Sequence, residues 1–243
     1  TQTQKFSRYE FKYLLNFEES ERLESEVRNF MRFDGHAHAA DDNRYFVRSL
    51  YFDNMNATNY YEKIDGAFER RKFRVRTYSQ QPDENTPLFL EEKGRHNQRT
   101  FKNRVEITQD QLNLLLNSDA RSDLMQFFPN VPLVERFVFD CERRQLLPRV
   151  LVDYRRRPYV SDFDLNFRIT FDSYVRATPT DALFPRNTIG LTQCHAGYTI
   201  GEIKFFRRIP AWFHRILQVY DMRRLSISKF CIGMEACELA VDL

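Results

Sequence analysis

Polar and apolar residues alternate along much of this chain with a period of two, which is typical of β-strands that have one charged and one apolar face. The clearest example runs from Phe68 to Tyr78. Its basic side chains on one face are Arg70, Lys72, Arg74 and Arg76. At about 3.3 Å per residue, neighbouring cations on that face lie roughly 7 Å apart and repel one another. The strand therefore predicts either a solvated charged surface or a site for a polyanion.

Five further segments show the same alternation and are predicted as strands: Lys5–Leu14, Leu88–Arg95, Thr100–Ile107, Leu165–Val175 and Tyr198–Phe206. On the polar faces of the six strands we count twelve basic residues against five acidic ones, a net +7. The whole chain has 37 basic and 34 acidic residues, a net +3. Positive charge is thus concentrated on these faces, which favours anion binding there.

Helical spacing of apolar residues predicts amphipathic helices that could cover the apolar strand faces. These helices are expected over Glu18–Phe33, Thr108–Leu116 and Pro210–Tyr220. A hairpin is predicted from Leu133–Leu147 and Arg149–Tyr159 around Pro148. The run from Arg224 to Phe230 is predicted to be extended, with a helix after it.

Length and composition favour one ordered domain over residues 1–243, since 42% of the residues are hydrophobic and the chain has only 7 Gly and 9 Pro. No apolar run is long enough to span a membrane and no signal peptide is visible, so we expect a cytoplasmic protein. Four scattered cysteines predict reduced thiols. A metal pair at His36 and His38 has no third ligand near it in the sequence.

Two architectures fit six strands with one charged face. A β-sandwich would place the apolar faces inward and the charges in water. A barrel with a polar interior would place the charges inside and cover its apolar exterior with the helices. Glu91 and Lys93, like Glu202 and Lys204, put opposite charges two residues apart, a pattern suited to holding phosphate and a metal together. We therefore predict an α+β, mainly β fold: an antiparallel β-barrel with a cationic interior and helices outside.

Eight ordered motifs resemble one known family, the VTC domain, which is the polyphosphate polymerase domain of the vacuolar transporter chaperone complex and one of the CYTH-like triphosphate tunnel metalloenzymes. The motifs run nearly from end to end: Arg8–Tyr13, Ser49–Asp53, Arg74–Arg76, Glu91–Lys93, Tyr154–Arg156, Arg168–Asp172, Gly201–Lys204 and Ser228–Phe230. The chain resembles a stand-alone bacterial member. It departs from the fungal pattern at Ser226, where those enzymes carry a lysine, and at Pro158.

The resemblance implies a tunnel that binds ATP, inorganic polyphosphate or triphosphate together with Mn²⁺ or Mg²⁺. The residues that it implies for phosphate binding are Lys12, Arg74, Arg76, Lys93, Arg104, Tyr154, Arg156, Arg168, Ser228 and Lys229. Glu202, with Glu10 as a second acid, is implied as the metal ligand. Lys12, Arg74, Arg76, Lys93 and Glu202 form the implied catalytic set.

The implied activity is transfer of the γ-phosphate of ATP to a growing polyphosphate chain. Two alternatives remain open from the sequence: a triphosphatase of the same fold, in which water is the acceptor, and a binding module without turnover. Nucleic acid is not expected as a partner, because the aromatic residues fall mainly on the face opposite the cations. A separate membrane partner is compatible with the resemblance.

Overall fold

A computed structural model describes residues 9–34, 42–82, 86–96, 99–164, 166–187 and 190–241. The strands are β1 (Tyr9–Asn16), β2 (Met31–Phe33), β3 (Tyr45–Asp53), β4 (Glu69–Thr77), β5 (Leu88–His96), β6 (Arg99–Ile107), β7 (Leu147–Ser161), β8 (Arg168–Pro179), β9 (Thr192–Gln193) and β10 (Tyr198–Phe205). The helices are α1 (Phe17–Arg28), α2 (Thr58–Ile64), α3 (Gln109–Leu116), α4 (Leu124–Phe127), α5 (Pro132–Arg144), α6 (Ala211–Val219) and α7 (Lys229–Ala236). The motif residue Arg8 and the pair His36 and His38 lie outside the described residues.

The ten strands form one antiparallel sheet in the order β1-β10-β8-β7-β3-β4-β5-β6, with β2 paired to β7 and β9 to β8. The predicted mainly β, antiparallel fold is thus confirmed. Over the described strands, backbone pairing does not close this sheet into a barrel, because β1 and β6 remain its two ends. The sheet nevertheless curves far enough for side chains of β1 and β5 to meet: Lys93 Nζ lies 3.3 Å from Glu10 Oε1.

The apolar face of each strand packs under helices, as the alternation predicts. On β3–β6, buried residues such as Leu50 and Phe73 pack with Leu112 of α3 and Phe137 of α5. On β1, β8 and β10, a second core packs against α1 and α6. Burial of this apolar area is the main stabilising contribution, at about 25 cal/mol per Å². It also fixes which face of each strand the charged residues occupy, since a one-residue slip would exchange the faces.

Helix α7 packs on the opposite, charged face of the sheet. Its residues Phe230 and Met234 are buried against Val152 of β7 and Tyr51 of β3. Gly233 permits this close approach, because a Cβ there would lie 2.9 Å from Val152 Cγ2. The apolar body of α7 covers one part of this face, and its first residue, Lys229, reaches the charged part.

The predicted strand at Leu133–Leu147 is wrong, because most of this segment forms helix α5. Pro132 occupies the first turn of the helix, where its missing N–H costs nothing. The buried residues Leu133, Val134, Phe137, Val138 and Cys141 follow helical rather than alternating spacing. The predicted partner strand, at Arg149–Tyr159, lies within β7.

Two other boundaries differ from the sequence prediction. The first helix ends at Arg28, and Met31–Phe33 forms β2, which pairs with Ser161–Tyr159 of β7. The predicted extended run at Arg224–Phe230 forms no strand with a neighbour: residues 222–228 have no regular structure, and α7 begins at Lys229, so that only its last two residues are helical instead. Ser228 causes this start, because its side chain accepts the Cys231 N–H.

Candidate functional site

The charged face of the curved sheet carries two groups of ion-paired residues. The first, the Glu202 cluster, consists of Glu10, Lys12, Arg156, Asp172, Glu202, Lys204 and Lys229. The second, the Glu91 cluster, consists of Tyr51, Arg74, Arg76, Glu91, Lys102 and Arg104. Each cluster combines side chains from at least three strands, so the fold and not the local sequence brings them together.

Glu202 lies at the centre of the first cluster. Its Oε1 is 2.6 Å from Lys204 Nζ. Its Oε2 is 3.9 Å from Lys12 Nζ and 4.0 Å from both Arg156 Nη2 and Lys229 Nζ. Four cations thus surround one carboxylate, and three of them lie far enough from it to bind another anion.

Two more carboxylates hold these cations in place. Arg156 donates to both oxygens of Asp172, at 2.6 and 2.7 Å, and Lys229 Nζ lies 2.5 Å from the same carboxylate. Lys12 Nζ lies 3.1 Å from Glu10 and donates to the carbonyl of Ile227 at 3.0 Å. Such charge-assisted contacts fix the direction of each cation.

The carboxylates of this cluster stay ionised. Burial raises the pKa of Glu202, but Lys204, Lys12 and Arg156 outweigh burial and hold it well below its usual range. Burial and Glu202 raise the pKa of Glu10, yet Lys93 and Lys12 lower it to about 2. The cluster therefore has fixed charges across the ordinary pH range.

In the second cluster, Glu91 is surrounded by four cations. Arg74 donates to its Oε2 through Nε at 2.8 Å and through Nη2 at 2.6 Å. Lys102 Nζ lies 2.7 Å from Oε1, while Arg76 and Arg104 lie 4.0 and 3.9 Å away. Burial raises the pKa of Glu91, and Arg74 and Arg76 outweigh it. One carboxylate thus partly neutralises four basic groups.

Tyr154 connects the two clusters. Its hydroxyl accepts from Arg76 Nη2 at 3.1 Å, and its ring lies 5.4 Å from the Arg156 guanidinium. The Lys229 ammonium lies 4.9 Å from the same ring. The two clusters are therefore parts of one continuous cationic surface and not separate sites.

The hydroxyl group of Tyr51 lies close to the cations Arg74 and Arg76. Arg74 Nη1 donates to its oxygen at 2.9 Å. Burial raises the pKa of Tyr51, but Arg74 and Arg76 lower it to about 8. This hydroxyl therefore loses its proton more easily than an ordinary tyrosine.

Most residues implied by the resemblance lie in or between these clusters, and three lie outside them: Lys93, Arg168 and Ser228. Arg168 faces the same side as Lys204, its cross-strand partner, but its nearest carboxylate is Asp34 at 3.8 Å. The Ser228 hydroxyl accepts the Cys231 N–H and caps α7. Lys93 lies beside Glu10 with 49% of its side chain exposed.

The sequence reasoning missed the counter-ions. Asp172 and Glu91 are 0% and 1% exposed and hold Arg156 and Arg74; the resemblance implies a role for neither, and the charge pattern of Glu91 with Lys93 does not show that Glu91 pairs with Arg74. The signal was their position within the motifs, on the same strand face as the cations. A buried carboxylate on a cationic strand face needs a partner, and that rule would have identified both.

The oxygen donors of the Glu202 cluster fit a hard divalent cation. Glu202 and Glu10 are both ionised, and both lie within 3.9 Å of Lys12 Nζ. Mg²⁺ binds to proteins through one or two carboxylates and takes its other ligands from phosphate and water. Among the described residues, this cluster included, no group of three or more His, Cys, Asp and Glu side chains could hold a metal ion, so any ion here would take most of its ligands from phosphate and water.

Comparison with known proteins gives the family. The model of the VTC domain matches residues 7–238, nearly the whole chain. The chain belongs to the VTC domain family. No curated protein is significantly similar to this VTC domain in sequence.

Several solved structures match most of this chain at low sequence identity. One from Hippeastrum, described as a provisional adenylyl cyclase with a dominant triphosphatase activity, has 13% identity and a TM-score of 0.50 and covers 93% of this VTC domain and 94% of its own chain. A Pyrococcus horikoshii protein has 15% identity and a TM-score of 0.49, with 94% and 98% covered. A Bacillus halodurans protein provisionally named adenylate cyclase has 14% identity and a TM-score of 0.49, with 92% and 96% covered.

The described helices of this VTC domain include none that is long and apolar enough to cross a lipid bilayer.

Proposed function

We propose that this VTC domain is a metal-dependent polyphosphate polymerase, which transfers the γ-phosphate of ATP to the end of an inorganic polyphosphate chain. The observation that carries the proposal is the convergence of Lys12, Arg156 and Lys229 on Glu202. Each of these cations lies 3.9–4.0 Å from the Glu202 carboxylate, at a point where phosphate oxygens could join them. Membership of the VTC family supports the same activity.

The chemistry requires positioning and charge neutralisation rather than a covalent intermediate on the protein. The terminal phosphate oxygen of the acceptor chain forms a bond to the γ-phosphorus of ATP. The bond from that phosphorus to the β,γ-bridging oxygen breaks, and ADP leaves with the electron pair. Arg156 and Arg74 would bind nonbridging oxygens through the N–H groups that Asp172, Glu91 and Tyr51 leave free, whereas Lys12 and Lys229 would act as point charges.

A divalent ion, when bound, would neutralise charge on the phosphate oxygens as the transferred group moves. Glu202 and Glu10 are the residues that would hold it. We propose Mn²⁺ or Mg²⁺, since both take carboxylate and phosphate oxygens. Asp172 would remain bound to Arg156 and Lys229 and keep both cations oriented.

Triphosphate hydrolysis is a second candidate. The protein from Hippeastrum with the same fold is described as having a dominant triphosphatase activity. The same cations would bind the triphosphate, and water would replace the acceptor chain. The products distinguish the two reactions: a polymerase makes long polyphosphate, and a triphosphatase releases orthophosphate.

The proposal is tested by incubating the protein with ATP and Mn²⁺ and separating the products on a polyacrylamide gel. We expect ATP-dependent growth of long chains. Glu202→Gln should slow growth about a hundredfold or more, because it removes the charge that would hold the ion. Glu18→Gln, the same substitution at an exposed position of α1, is the matched control and should leave growth unchanged.

Orthophosphate as the sole product would favour the triphosphatase. Unchanged chain growth in Glu202→Gln at saturating Mn²⁺ would remove Glu202 from the metal site.

A further inference from the structure

Four exposed aromatic side chains lie at one end of the sheet, where β1 and β8 begin and β7 and β10 end. Tyr9 is the pairing partner of Phe205, the last residue of β10. Phe163 lies in the turn between β7 and β8. We call this set the aromatic end; its members are Tyr9, Phe30, Phe163 and Phe206, which are 56%, 43%, 97% and 37% exposed. Single exposed aromatic residues are normal on a protein surface, but several at one place indicate an interaction site.

Two of the four rings are held in place by rings beneath them. Phe30 stacks on Trp212 with 4.4 Å between the ring centres, and Tyr9 stacks on Phe205 with 5.3 Å. Both supporting rings belong to the core that packs against α1 and α6. The exposed rings are therefore already ordered, so covering them with a partner costs little conformational entropy.

The segment after β10 adds positive charge to the aromatic end. From Phe206 to Arg215 the chain contains three arginines and no acidic residue. Arg207 and Arg208 are exposed, and within the described residues neither has a carboxylate closer than 4.0 Å. They line a cavity of about 320 Å³ together with Phe206, Asp164 and Asn166.

The acidic residues around the aromatic end have contacts of their own. Asp162 pairs with Arg32, and Asp34 Oδ2 lies 3.8 Å from Arg168 Nη1. The Asp164 carboxylate accepts the Asn166 N–H at 2.9 Å. The arginines at positions 207 and 208 are therefore the uncompensated charges of this surface, and they make it complementary to an anionic partner.

We propose that the aromatic end, together with Arg207 and Arg208, docks on the surface of a lipid bilayer that contains anionic lipids. Phe163 and Phe206 enter the boundary between headgroups and acyl chains, where aromatic side chains are favoured. The two guanidinium groups bind lipid phosphates, whose oxygens match their planar forks. The cavity beside them has room for a headgroup phosphate. This docking does not depend on the proposed activity.

Shape and charge favour a bilayer over a protein as the partner. A second copy of this chain would place its own arginines against these, and like charges repel. Because Phe163 is 97% exposed, its side chain projects from the turn and does not line a groove. A folded protein would need a matching pocket for this ring, whereas the interface of a bilayer accepts a projecting aromatic ring without one.

The test measures co-sedimentation of the protein with sucrose-loaded vesicles, in EDTA and without nucleotide. One set of vesicles is phosphatidylcholine alone, and the other contains about one-third phosphatidylserine. We expect wild type to bind the anionic vesicles at least about tenfold more tightly. Arg207→Gln combined with Arg208→Gln should weaken that binding about twentyfold, because each cation near an anionic surface contributes about fivefold. Arg143→Gln combined with Arg176→Gln is the matched control: both arginines are exposed and lie elsewhere, so binding should stay at the wild-type level.

Phe163 is tested by two further variants. Phe163→Ser should weaken binding to anionic vesicles about tenfold, because it removes the ring that enters the bilayer. Phe163→Trp should keep the binding, and its fluorescence should shift to shorter wavelength when anionic vesicles are added. Phe127→Ser, at a 57% exposed position of α4, is the matched control. Thermal melts of the Phe163 variants should match wild type, since this side chain contacts little of the protein.

Three outcomes overturn the docking surface. Equal binding to both kinds of vesicle, or to neither, excludes anionic lipid as the partner, and binding to neither favours an acidic protein instead. Unchanged binding by the double arginine variant and by Phe163→Ser shows that lipid contacts another face. An equal loss in the control variants assigns the binding to net charge alone. None of these results bears on the proposed function, because the assay contains neither ATP nor a divalent ion.

Discussion

Lys72 carries a charge that the folded protein disfavours. Tyr51 on β3, Cys231 and Phe230 on α7, Lys63 on α2 and the neighbouring Arg70 surround it, and burial is the main reason that its pKa falls to about 8. In the unfolded chain a lysine titrates near 10.4. Between these two values the unfolded state binds more protons, so stability rises with pH across that window.

Lys72→Met should therefore stabilise the protein at pH 7, by about 1 kcal/mol, because it removes the charge and keeps the volume. We expect a rise in Tm of about 2–4 °C for a chain of this size. The gain should shrink as the pH rises from 8 toward 10, because wild-type Lys72 then becomes neutral. Thermal melts of both proteins across this range provide the measurement. Tyr51 titrates nearby, so only the difference between the proteins reports on Lys72. A difference that does not vary with pH would contradict the explanation.

Individual cations were easier to predict than their partners. Arg74 and Arg76 follow from alternation alone, because the apolar residues Phe73 and Val75 fix their face. Asp172 and Glu91 were not assigned as site residues, since the sequence does not show which carboxylates the curved sheet brings within reach of which cations. These ion pairs can be assigned only when the register of the paired strands is known.

At the scale of the element, β5 places two adjacent carboxylates on opposite faces. Glu91 holds Arg74 on the inner face, and Glu92 holds Arg136 on the outer face at 2.7 Å. Glu91 is 1% exposed and Glu92 is 0% exposed. The two residues therefore have the same chemistry and the same burial, and differ in the side of the sheet on which they lie.

Glu91→Gln and Glu92→Gln should each lower the free energy of unfolding by about 3 kcal/mol, because each leaves buried cations without their partner. Only Glu91→Gln should be rescued by tripolyphosphate in EDTA, with a larger ligand-induced rise in Tm than wild type, because the anion takes the place of the lost carboxylate. Thermal melts with and without ligand test this. Equal ligand shifts in the two variants would show that the inner cations do not bind the anion.

Gly233 sets the position of α7. Gly233→Ala should destabilise the protein by about 1–3 kcal/mol, since its Cβ would overlap Val152 in a packed core. The affinity for tripolyphosphate should fall as well, because Lys229 moves with the helix away from Asp172. Chemical denaturation and calorimetry measure the two effects. Adding Val152→Ala makes room for the new methyl group and should restore both the stability and the affinity for tripolyphosphate. If stability recovers and the affinity does not, the position of Lys229 does not determine binding.

Elements with regular alternation were predictable, and those with mixed patterns were not. The strand at Tyr198–Phe206 is found almost as predicted. Helix α5 contains Phe137, Val138 and Phe139, adjacent bulky residues that favour a strand locally. Burial against the β3–β6 face decided the outcome, and tertiary packing of this kind cannot be read from local preference.

At the scale of the whole molecule, the sheet has two ends that meet through side chains. The contact between Glu10 and Lys93 joins β1 to β5, and both groups are partly exposed, at 27% and 49%. An exposed ion pair of this kind contributes about 0–1 kcal/mol. We call this side-chain contact between Glu10 of β1 and Lys93 of β5 the seam of the sheet. The two strands should separate at the seam more easily than the paired strands at the centre of the sheet separate.

Hydrogen–deuterium exchange should show this difference. Amides of β1 and β6 should exchange faster than those of β3 and β7, which are paired on both sides. Tripolyphosphate should slow exchange most in β1 and β5, because it would bridge the cations on both sides of the seam. Mass spectrometry of peptides with and without the ligand provides the comparison. Uniform protection, or a ligand effect confined to β7, would contradict this view of the seam.

The contact between Lys12 and the carbonyl of Ile227 joins residues that are 215 positions apart. On a ribosome, Lys12 emerges long before Lys229, which neutralises Asp172. A nascent chain that has β1 and β10 but not yet α7 carries the buried acid without one of its two cations. The protein should therefore bind polyanions only once the last part of the chain has been synthesised. In a refolding experiment, ligand binding should appear with the slowest folding phase and not with the earliest one.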